Sequence, residues 1–385
     1  MAENKKPAIR FKGFTDAWEQ RELGDIVVIY DGVHQTPNYQ NSGVMFLSVE
    51  NIATLKSSKF ISEEDFKRDY KVYPQENDIL MTRIGDVGTT NVVTDNGLKA
   101  YYVSLALLKY KSTDPYFLSN AIQSDYVQKG LANRTLKTAI PMKINKDEIG
   151  KVNVMLPHSA TEQQQIGSYF RNLDNLITLH QRKYDKLVKV KKSMLEKMFP
   201  KNGSKFPEIR FNGFTDAWEQ RELGEIATEI IAGGDVDKSL LCEEGNCPVI
   251  ANALTNDGII GYYKNEYRVK APAVTVTGRG DVGHAKARND DFTPVVRLLS
   301  VKSEHDIYFL ENAINAIKIV VESTGVPQLT VPQLSKNVVF YPNSAEEEMK
   351  IGTYFRNLDN LITLHQRKLE KLKNIKKSML QKMFL

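Results

Sequence analysis

The stretch IGSYFRNLDNLITLHQRK at residues 166–183 recurs as IGTYFRNLDNLITLHQRK at residues 351–368, with a single substitution. Counting onward from Ile166 and from Ile351 in alternating steps of four and three, most positions are apolar or Tyr. Such a spacing over about five heptads is typical of a coiled-coil seam. The sequence therefore predicts two long helices with closely similar seams.

The predicted seam is shared between the two helices, and its residues are Ile166, Phe170, Leu173, Ile177, His180, Leu187, Ile351, Phe355, Leu358, Ile362, His365 and Leu372. The two histidines are expected to fix the register, because polar seam residues often do so at a cost in stability. Lys191 and Lys376 are expected to extend their ammonium groups into water at the end of the seam. Capping boxes at 159–162 and 344–347 are expected to start the helices.

Other blocks repeat as well and make a frame around two different inserts. Residues 9–24 recur at 209–224, and residues 191–199 recur at 376–384, each with one change. The inserts between these blocks share only scattered features. A nearly constant frame around two divergent inserts indicates one scaffold that presents two specificities. A coiled-coil tether is the alternative, although a tether gains nothing from two different heads.

The expected fold class is α+β, with two mixed α/β domains separated by the two helices, which pack as an antiparallel coiled coil with pseudo-twofold symmetry. Strand-like runs and one helical stretch in each insert, 114–133 and 305–323, indicate mostly antiparallel sheets. The expected segments are a first domain at 1–155, a first helix at 156–200, a second domain at 201–340 and a second helix at 341–385.

Composition places the chain among ordinary globular proteins. Charged residues make up 26% of the 385 residues, and the net charge is +5, which by itself does not identify a nucleic-acid binder. The N-terminus lacks the apolar core of a secretory signal, and no apolar run is long enough to span a membrane. Two cysteines suit a reducing compartment, so a cytoplasmic location is expected.

Two glycine-rich turns are the strongest candidates for contact with another molecule, TRIGDVG at 82–88 and TGRGDVG at 277–283. Glycine allows a backbone to approach another surface closely, and a guanidinium can bond guanine or hold phosphate. The alternative is a hairpin turn with an exposed arginine. Together with two polar stretches, 133–138 and 323–328, and two cations just after the second turn, they give these candidate DNA-binding residues: Thr82, Arg83, Arg134, Lys137, Thr138, Arg279, Lys286, Arg288 and Gln328.

Motifs of catalysis are missing from the sequence. It has no G-x-G-x-x-G after a clear strand, no H-E-x-x-H and no GxxxxGK[ST], and the two turns lack the carboxylate clusters of a magnesium nuclease. We therefore expect no catalytic residue and no metal site. A stand-alone methyltransferase or nuclease is the competing hypothesis, and activity of the purified chain with S-adenosylmethionine or Mg²⁺ would distinguish it.

The complete order of these blocks resembles the specificity (S) subunit of type I restriction–modification systems. The resemblance rests on FTDAWEQRELGDI at 14–26, FTDAWEQRELGEI at 214–226, TRIGDVG at 82–88, and the strand–proline–helix passages at 152–170 and 338–355. The first passage contains the Glu-Gln pair usual in the family, whereas the second has Glu-Glu. The resemblance extends over essentially the whole chain.

The resemblance implies a function for the chain and a set of partners. Each target-recognition domain would read one half of a split, asymmetric site on double-stranded DNA, and the helices would set the spacing. Two modification subunits would bind this chain and methylate adenine with S-adenosylmethionine. Restriction subunits that use ATP and Mg²⁺ would join them. The chain itself would bind no cofactor and would have no catalytic activity.

Overall fold

The computed structural model describes residues 6–201, 203–319 and 327–385. Its contacts divide the chain into two compact units, Met1–His180 with Lys368–Leu385, and Gln181–Arg367. Each unit contains part of both long helices, so the units do not follow the segment boundaries expected from the sequence.

The first unit contains an α+β domain followed by the start of a long helix. Its elements in chain order are β1 (Glu19–Glu22), α1 (Leu23–Ile26), β2 (Val27–Asp31), β3 (Val44–Leu47), β4 (Phe60–Ile61), α2 (Glu63–Asp69), β5 (Ile79–Thr82), β6 (Thr90–Val92), β7 (Lys99–Tyr101), β8 (Leu105–Tyr110), α3 (Pro115–Ile122), α4 (Asp125–Arg134), α5 (Lys146–Gly150), β9 (Asn153–Leu156) and α6 (Ala160–Lys197). The last of these, α6, continues into the second unit.

The second unit repeats this order with small differences. Its elements are β10 (Glu219–Glu222), α7 (Leu223–Ile226), β11 (Ala227–Ala232), β12 (Cys247–Ile250), β13 (Ile259–Tyr263), β14 (Ala273–Val276), β15 (Ala285–Arg288), β16 (Thr293–Pro294), β17 (Leu299–Ser303), α8 (Ile307–Ala316), α9 (Val331–Ser335), β18 (Val338–Tyr341) and α10 (Ala345–Met383). The end of α10 belongs to the first unit.

The two inserts have the same sheet topology although their sequences share little. The first unit has an antiparallel sheet of order β2-β8-β5-β6, and the second unit has the matching order β11-β17-β14-β15. Each also has a three-stranded sheet, β4-β3-β7 or β13-β12-β16, with one antiparallel and one parallel pairing. The expectation of mixed α/β domains with mostly antiparallel sheets is confirmed.

Each unit has its main core where the sheet, the domain helices and the long helices meet. In the first unit Trp18 and Phe117 are fully buried there, and Phe384, from the far end of the chain, packs on both with ring centroids 6.2 and 5.5 Å away. In the second unit Phe199 packs in the same manner on Trp218 and Phe309, at 5.8 and 5.6 Å. Residues just beyond each long helix therefore complete the core of a unit.

Within each unit, α6 and α10 run antiparallel. In the first unit Phe170 of α6 packs beside Phe384, with ring centroids 5.6 Å apart, whereas the later residue Asp174 pairs with the earlier residue Lys376 at 2.6 Å. The second unit has the corresponding ion pair between Lys191 and Asp359 at 2.6 Å. The antiparallel helix pairing expected from the sequence is therefore present in both units.

Burial along the two helices follows the predicted seam. Ile166, Phe170, Leu173, Ile351, Phe355 and Leu358 are buried, whereas Ile177, His180, Leu187, Ile362, His365 and Leu372 are half-buried. The expectation for Lys191 and Lys376 was wrong in its detail. Instead of reaching into water, each ammonium is half-buried and pairs with an aspartate of the facing helix.

The frame is closed by a pair of equivalent ion pairs between the opening segments and the helix starts. Arg10 donates to both carboxylate oxygens of Glu162, at 2.5 and 2.8 Å, and Arg210 does the same to Glu347, at 2.6 and 2.8 Å. Both glutamates are almost completely buried. Only half of each capping box forms, because the backbone N–H groups of these glutamates approach the cap serines at 3.4 Å while their carboxylates bind arginine.

Several element boundaries differ from the sequence expectation. The helical stretch 114–133 is two helices, α3 and α4, separated at residues 123–124. In the counterpart stretch 305–323, α8 ends at Ala316, and residues 320–323 lie outside the described residues. The strand-like run FTPVVRLLSV at 292–301 is divided between β16 and β17, because Arg297 between them has a φ of 74°, which no strand accommodates.

Candidate nucleic-acid interface

The two glycine-rich turns have the same internal hydrogen bonds. Gly88 N–H donates to the carbonyl of Thr82 at 2.9 Å, and Gly283 N–H donates to that of Thr277 at 2.8 Å. Both glycines have a left-handed φ, 98° and 92°, which favours glycine over residues with a side chain. The threonine hydroxyls are used inside the turns, so the candidate Thr82, which is fully buried, supports the turn and presents nothing outward.

A second segment lies against each turn, residues 142–144 in the first unit and Gln328 with Leu329 in the second. In the first unit Ile144 N–H donates to the Arg83 carbonyl at 3.0 Å, and Gly85 N–H donates to the Met142 carbonyl at 2.8 Å. In the second unit Leu329 N–H donates to the Gly278 carbonyl at 2.9 Å. Of the two predicted polar stretches, 133–138 reaches its turn only through the Leu136–Lys143 pair, and 323–328 contacts its turn through Gln328.

Arg83 and Arg279 do not occupy equivalent positions. The carbonyls of Arg83 and Gly278 accept the equivalent backbone bonds, so these two residues correspond. Ile84 pairs with Lys143 as Arg279 pairs with Gln328, so Arg279 corresponds to Ile84. Successive residues of an extended segment face opposite sides. One arginine therefore faces the protein interior and the other faces solvent.

The Arg83 side chain is committed to the protein interior. It is 5% exposed, its Nε donates to the Ile144 carbonyl at 3.1 Å, and its guanidinium forms an ion pair with Asp31. Burial lowers the pKa of Arg83 from its ordinary value. Arg83 therefore fastens the turn to the second segment, and the expectation that it offers its guanidinium to DNA is not supported by this geometry.

The outward face of each turn carries the remaining candidates. Arg279 is exposed and pairs through its backbone with the exposed Gln328. Lys137 and Thr138 are exposed in the first unit. Arg134 is half-buried and forms an ion pair with Glu148 at 3.2 Å. The residues 323–326 of the second polar stretch lie outside the described residues.

The two candidates on β15 are half-buried. Arg288 donates through Nε to the Thr275 hydroxyl at 3.0 Å and through a terminal nitrogen to the Asp257 carbonyl at 2.9 Å, and burial lowers its pKa. Lys286 lines a cavity of about 370 Å³ together with Lys191 and the buried Glu311, whose pKa burial raises. The Arg288 guanidinium is satisfied by the protein itself, so it is not free for an outside ligand.

The first-unit segment also has features that the sequence did not reveal as important. Leu136 N–H donates to the Lys143 carbonyl at 2.8 Å, so residues 136–143 form a narrow hairpin, which we call the first-unit hairpin. Ile140 at its tip is 101% exposed, and Lys143 is also exposed. The sequence signal for this tip is the run KTAIPMK, in which a short apolar stretch that includes Ile140 stands between two lysines.

Comparison with known proteins connects this architecture to one family. A family model described as the type I restriction modification DNA specificity domain matches residues 15–189 and 215–374, once in each half of the chain. This chain is a member of the type I restriction modification DNA specificity family. Both matched stretches include a glycine-rich turn and the segment or strand pairs that hold it.

Relatives of this specificity chain cover it to different extents. A putative type I restriction enzyme MjaX specificity subunit from Methanocaldococcus jannaschii is 25% identical over 404 residues, 94% of this chain and 92% of that protein. A putative type I specificity subunit from Mycoplasma pneumoniae is 29% identical over 132 residues, and this match spans only 36% of that protein. A crystal structure of a type I S subunit from M. genitalium covers 99% of both chains with a TM-score of 0.71 and 16% identity, which establishes the fold.

Two further observations concern the described part of this specificity chain. None of the helices within residues 6–201, 203–319 and 327–385 has both the length and the apolar character needed to cross a bilayer. Across the same ranges, no three Cys, His, Asp or Glu side chains gather into a cluster that could hold a metal ion.

Proposed function

We propose that each unit reads one half of a bipartite, asymmetric site on double-stranded DNA. The observation that carries the proposal is the pairing of a glycine-rich turn with a second segment through the same backbone bonds in both units, while the exposed side chains differ. A constant backbone support holds the reading surface in place, and different side chains on it read different sequences. This division suits a protein that recognises two unlike half-sites.

The exposed cations of these surfaces are proposed to meet phosphate or base edges. Lys137 and Lys143 in the first unit, and Arg279 in the second, have no carboxylate partner among the ion pairs of the described residues. Arginine can bond guanine O6 and N7 bidentately, whereas lysine suits phosphate as a point charge. Gln328, the backbone partner of Arg279, carries an amide that can bond adenine.

The long helices are proposed to set the spacing of the half-sites and to bind partner subunits. α6 has 38 residues and α10 has 39, about 57 Å of helix each at about 1.5 Å per residue. Outside the seam, Leu176 and Leu179 are 43% and 46% exposed, and their repeats Leu361 and Leu364 are 44% and 45% exposed. Because these apolar pairs are the same in both halves, they suit two copies of one partner.

We propose two modification subunits as those partners, with restriction subunits joining the complex. The chain then contributes recognition and no catalysis, while S-adenosylmethionine, ATP and Mg²⁺ are bound by the partner subunits. The family membership supports this assignment, because the relatives are named as specificity subunits. Action on DNA in the cytoplasm follows from the same proposal.

The test is to map methylated adenines in DNA modified by the complex of this chain with its modification subunits. A two-part motif with a fixed gap is expected. Arg279→Ala should relax one base position in a single half-site and cost about 1–3 kcal/mol of discrimination, whereas Lys137→Ala should weaken binding to all sequences alike. A continuous motif, or methylation without sequence preference, would contradict the proposal.

A separate experiment tests the role of the helices in spacing. Four residues inserted after Leu179 and after Leu364 add about one turn, or roughly 6 Å, to each helix. The preferred gap should then lengthen by about one to two base pairs, since base pairs are about 3.4 Å apart along one strand. The bases read in each half-site should stay the same. An unchanged gap in a folded, active variant would remove the spacing role.

A further inference from the structure

The first-unit hairpin has an unusual tip for a protein surface. Ile140 is 101% exposed, and Leu136 and Met142 on the same hairpin are 45% and 47% exposed. Single exposed apolar residues are common on protein surfaces, and they need no explanation. Three exposed apolar residues on a segment of eight, one of them fully exposed, do require an explanation.

Backbone and side-chain hydrogen bonds hold the hairpin in place, so the position of its tip is defined. The Leu136–Lys143 backbone pair closes it, and Gly85 N–H and the Arg83 carbonyl bond Met142 and Ile144, at its C-terminal end, to the glycine-rich turn. Arg83 adds a side-chain bond to the carbonyl of the residue that follows the hairpin, at 3.1 Å. The buried ion pair of Arg83 therefore fixes the position of a tip that lies outside the core.

The surroundings of Ile140 are cationic and polar. Lys137 and Thr138 precede it on the tip, and Lys143 closes the hairpin behind it. Glu148, near the base, is already bonded by Arg134 at 3.2 Å and by Lys151 at 2.6 Å. A surface for a purely apolar protein partner would not be flanked by free cations, whereas an exposed apolar tip between Lys137 and Lys143 is complementary to a polyanion that has an apolar group at its centre.

We propose that the first-unit hairpin enters the major groove of DNA and that Ile140 packs against the 5-methyl group of a thymine. This inference rests on the proposed function and names the residue by which the first unit specifies one A·T pair. The major groove is about 12 Å wide and admits a two-stranded β ribbon. Among the four bases, thymine alone has a methyl group at the major-groove edge, and apolar side chains make the contact that reads it.

The expected effect is modest and measurable. Burying one methyl-sized group contributes about 0.8 kcal/mol, which corresponds to about a fourfold change in affinity. Lys137 and Lys143 at the sides of the tip would reach phosphates, and their contribution should fall as salt concentration rises. The Ile140 contribution should persist at higher salt, since it does not depend on charge.

The test uses the complete complex of this chain with its modification subunits, on a DNA duplex that contains the mapped site. Each thymine of the first half-site is replaced in turn by deoxyuridine, which lacks only the methyl group. At one position the wild-type complex should bind about fourfold more weakly. Ile140→Ala should bind the thymine and uracil duplexes equally, and its mapped motif should relax at that position alone.

Two controls separate the possible outcomes. Leu98→Ala removes an apolar side chain of the same unit that is also 46% exposed but lies off the hairpin, and it should leave the motif unchanged. The second half-site should also stay unchanged in Ile140→Ala. A bipartite motif that is insensitive to uracil and to Ile140→Ala would overturn this inference and leave the proposed function standing, whereas absence of a bipartite motif for the wild type would overturn the proposed function itself. If Ile140→Ala lowers the number of bound subunits without changing the motif, the tip contacts protein and the inference is wrong.

Discussion

Removing the phenyl ring of Phe384 should destabilise the first unit, even though this residue is the next to last of the chain. The ring is 5% exposed and packs on Trp18, Phe117 and Phe170, with centroid distances of 6.2, 5.5 and 5.6 Å. Truncation of a buried phenylalanine to alanine costs about 3–5 kcal/mol, because it removes buried apolar area and leaves a cavity. For a unit of this size, about 2–4 °C per kcal/mol predicts a fall in Tm of about 6–20 °C.

Each unit has one tryptophan, Trp18 or Trp218, and both are buried. In a Trp218→Phe background, fluorescence reports thermal unfolding of the first unit alone. In a Trp18→Phe background, it reports the second unit. Phe384→Ala should lower the transition seen by Trp18 and leave that seen by Trp218 nearly in place.

Phe199→Ala is the matched variant, because Phe199 takes the equivalent place in the second core, and it should show the opposite pattern. Phe206→Ala is the control, since that ring is 53% exposed and its loss should change either transition very little. A Trp18 transition that is no lower in Phe384→Ala than in the control would refute the reasoning. An equal fall for both tryptophans would contradict separate cores.

Arg83→Ala should cost the first unit about 1–3 kcal/mol of stability, because it leaves Asp31 without its partner. Arg279→Ala should change the stability of the second unit by less than about 0.5 kcal/mol, because Arg279 is exposed. Chemical denaturation measures both costs, and equal costs would contradict this prediction. His305 Nδ1 lies 2.9 Å from Glu348, and that hydrogen bond raises the pKa of His305 above 6.5, so its stabilisation is complete below about pH 6.5 and is lost as pH rises through the raised pKa. As pH rises through that pKa, the Tm of the second unit should therefore fall in the wild type and fall less in His305→Asn. Parallel curves of Tm against pH for the two proteins would show that the His305–Glu348 pair has no effect. In the complex, Lys143→Ala should reduce the salt dependence of DNA binding by about one unit of log–log slope without altering the motif, and a changed motif would mean that Lys143 reads a base.

The frame could be predicted well because repeats and periodicity report burial directly. The steps of four and three from Ile166 and Ile351 mark the faces that are buried, since one helical face must be apolar to pack. The partners of Lys191 and Lys376 could not be predicted, because the aspartates that bind them are 168 and 202 residues away in sequence. Helix periodicity gives the buried face, and it does not give the residue opposite.

The candidate interface was predicted in its parts but not in its arrangement. The sequence pointed to 133–138 and 323–328, whereas the segments that pair with the turns are 142–144 and Gln328 with Leu329, because that contact depends on backbone pairing over long sequence separations. The sequence pointed to Arg83 and Arg279 alike, although their places in the two turns differ by one residue. Aligning TRIGDVG with TGRGDVG letter by letter places Arg83 opposite Gly278, and in extended backbone one position decides which side a residue faces.

Two equivalent backbone bonds join the opening segment of each half to the end of a long helix. Ile9 N–H donates to the Lys382 carbonyl at 2.8 Å, and the repeat pair Ile209 and Lys197 has the same bond at 2.9 Å. Residues 198–208 make up the intact connection, and residues 383–385 followed by 1–8 would make up a second of equal length. A covalent join between residues 385 and 1 would therefore span the same distance along the chain as the connection at 198–208. A circular permutant that begins after residue 200 and joins residue 385 to residue 1 should keep both cores. The fold would then not depend on which half comes first in the sequence.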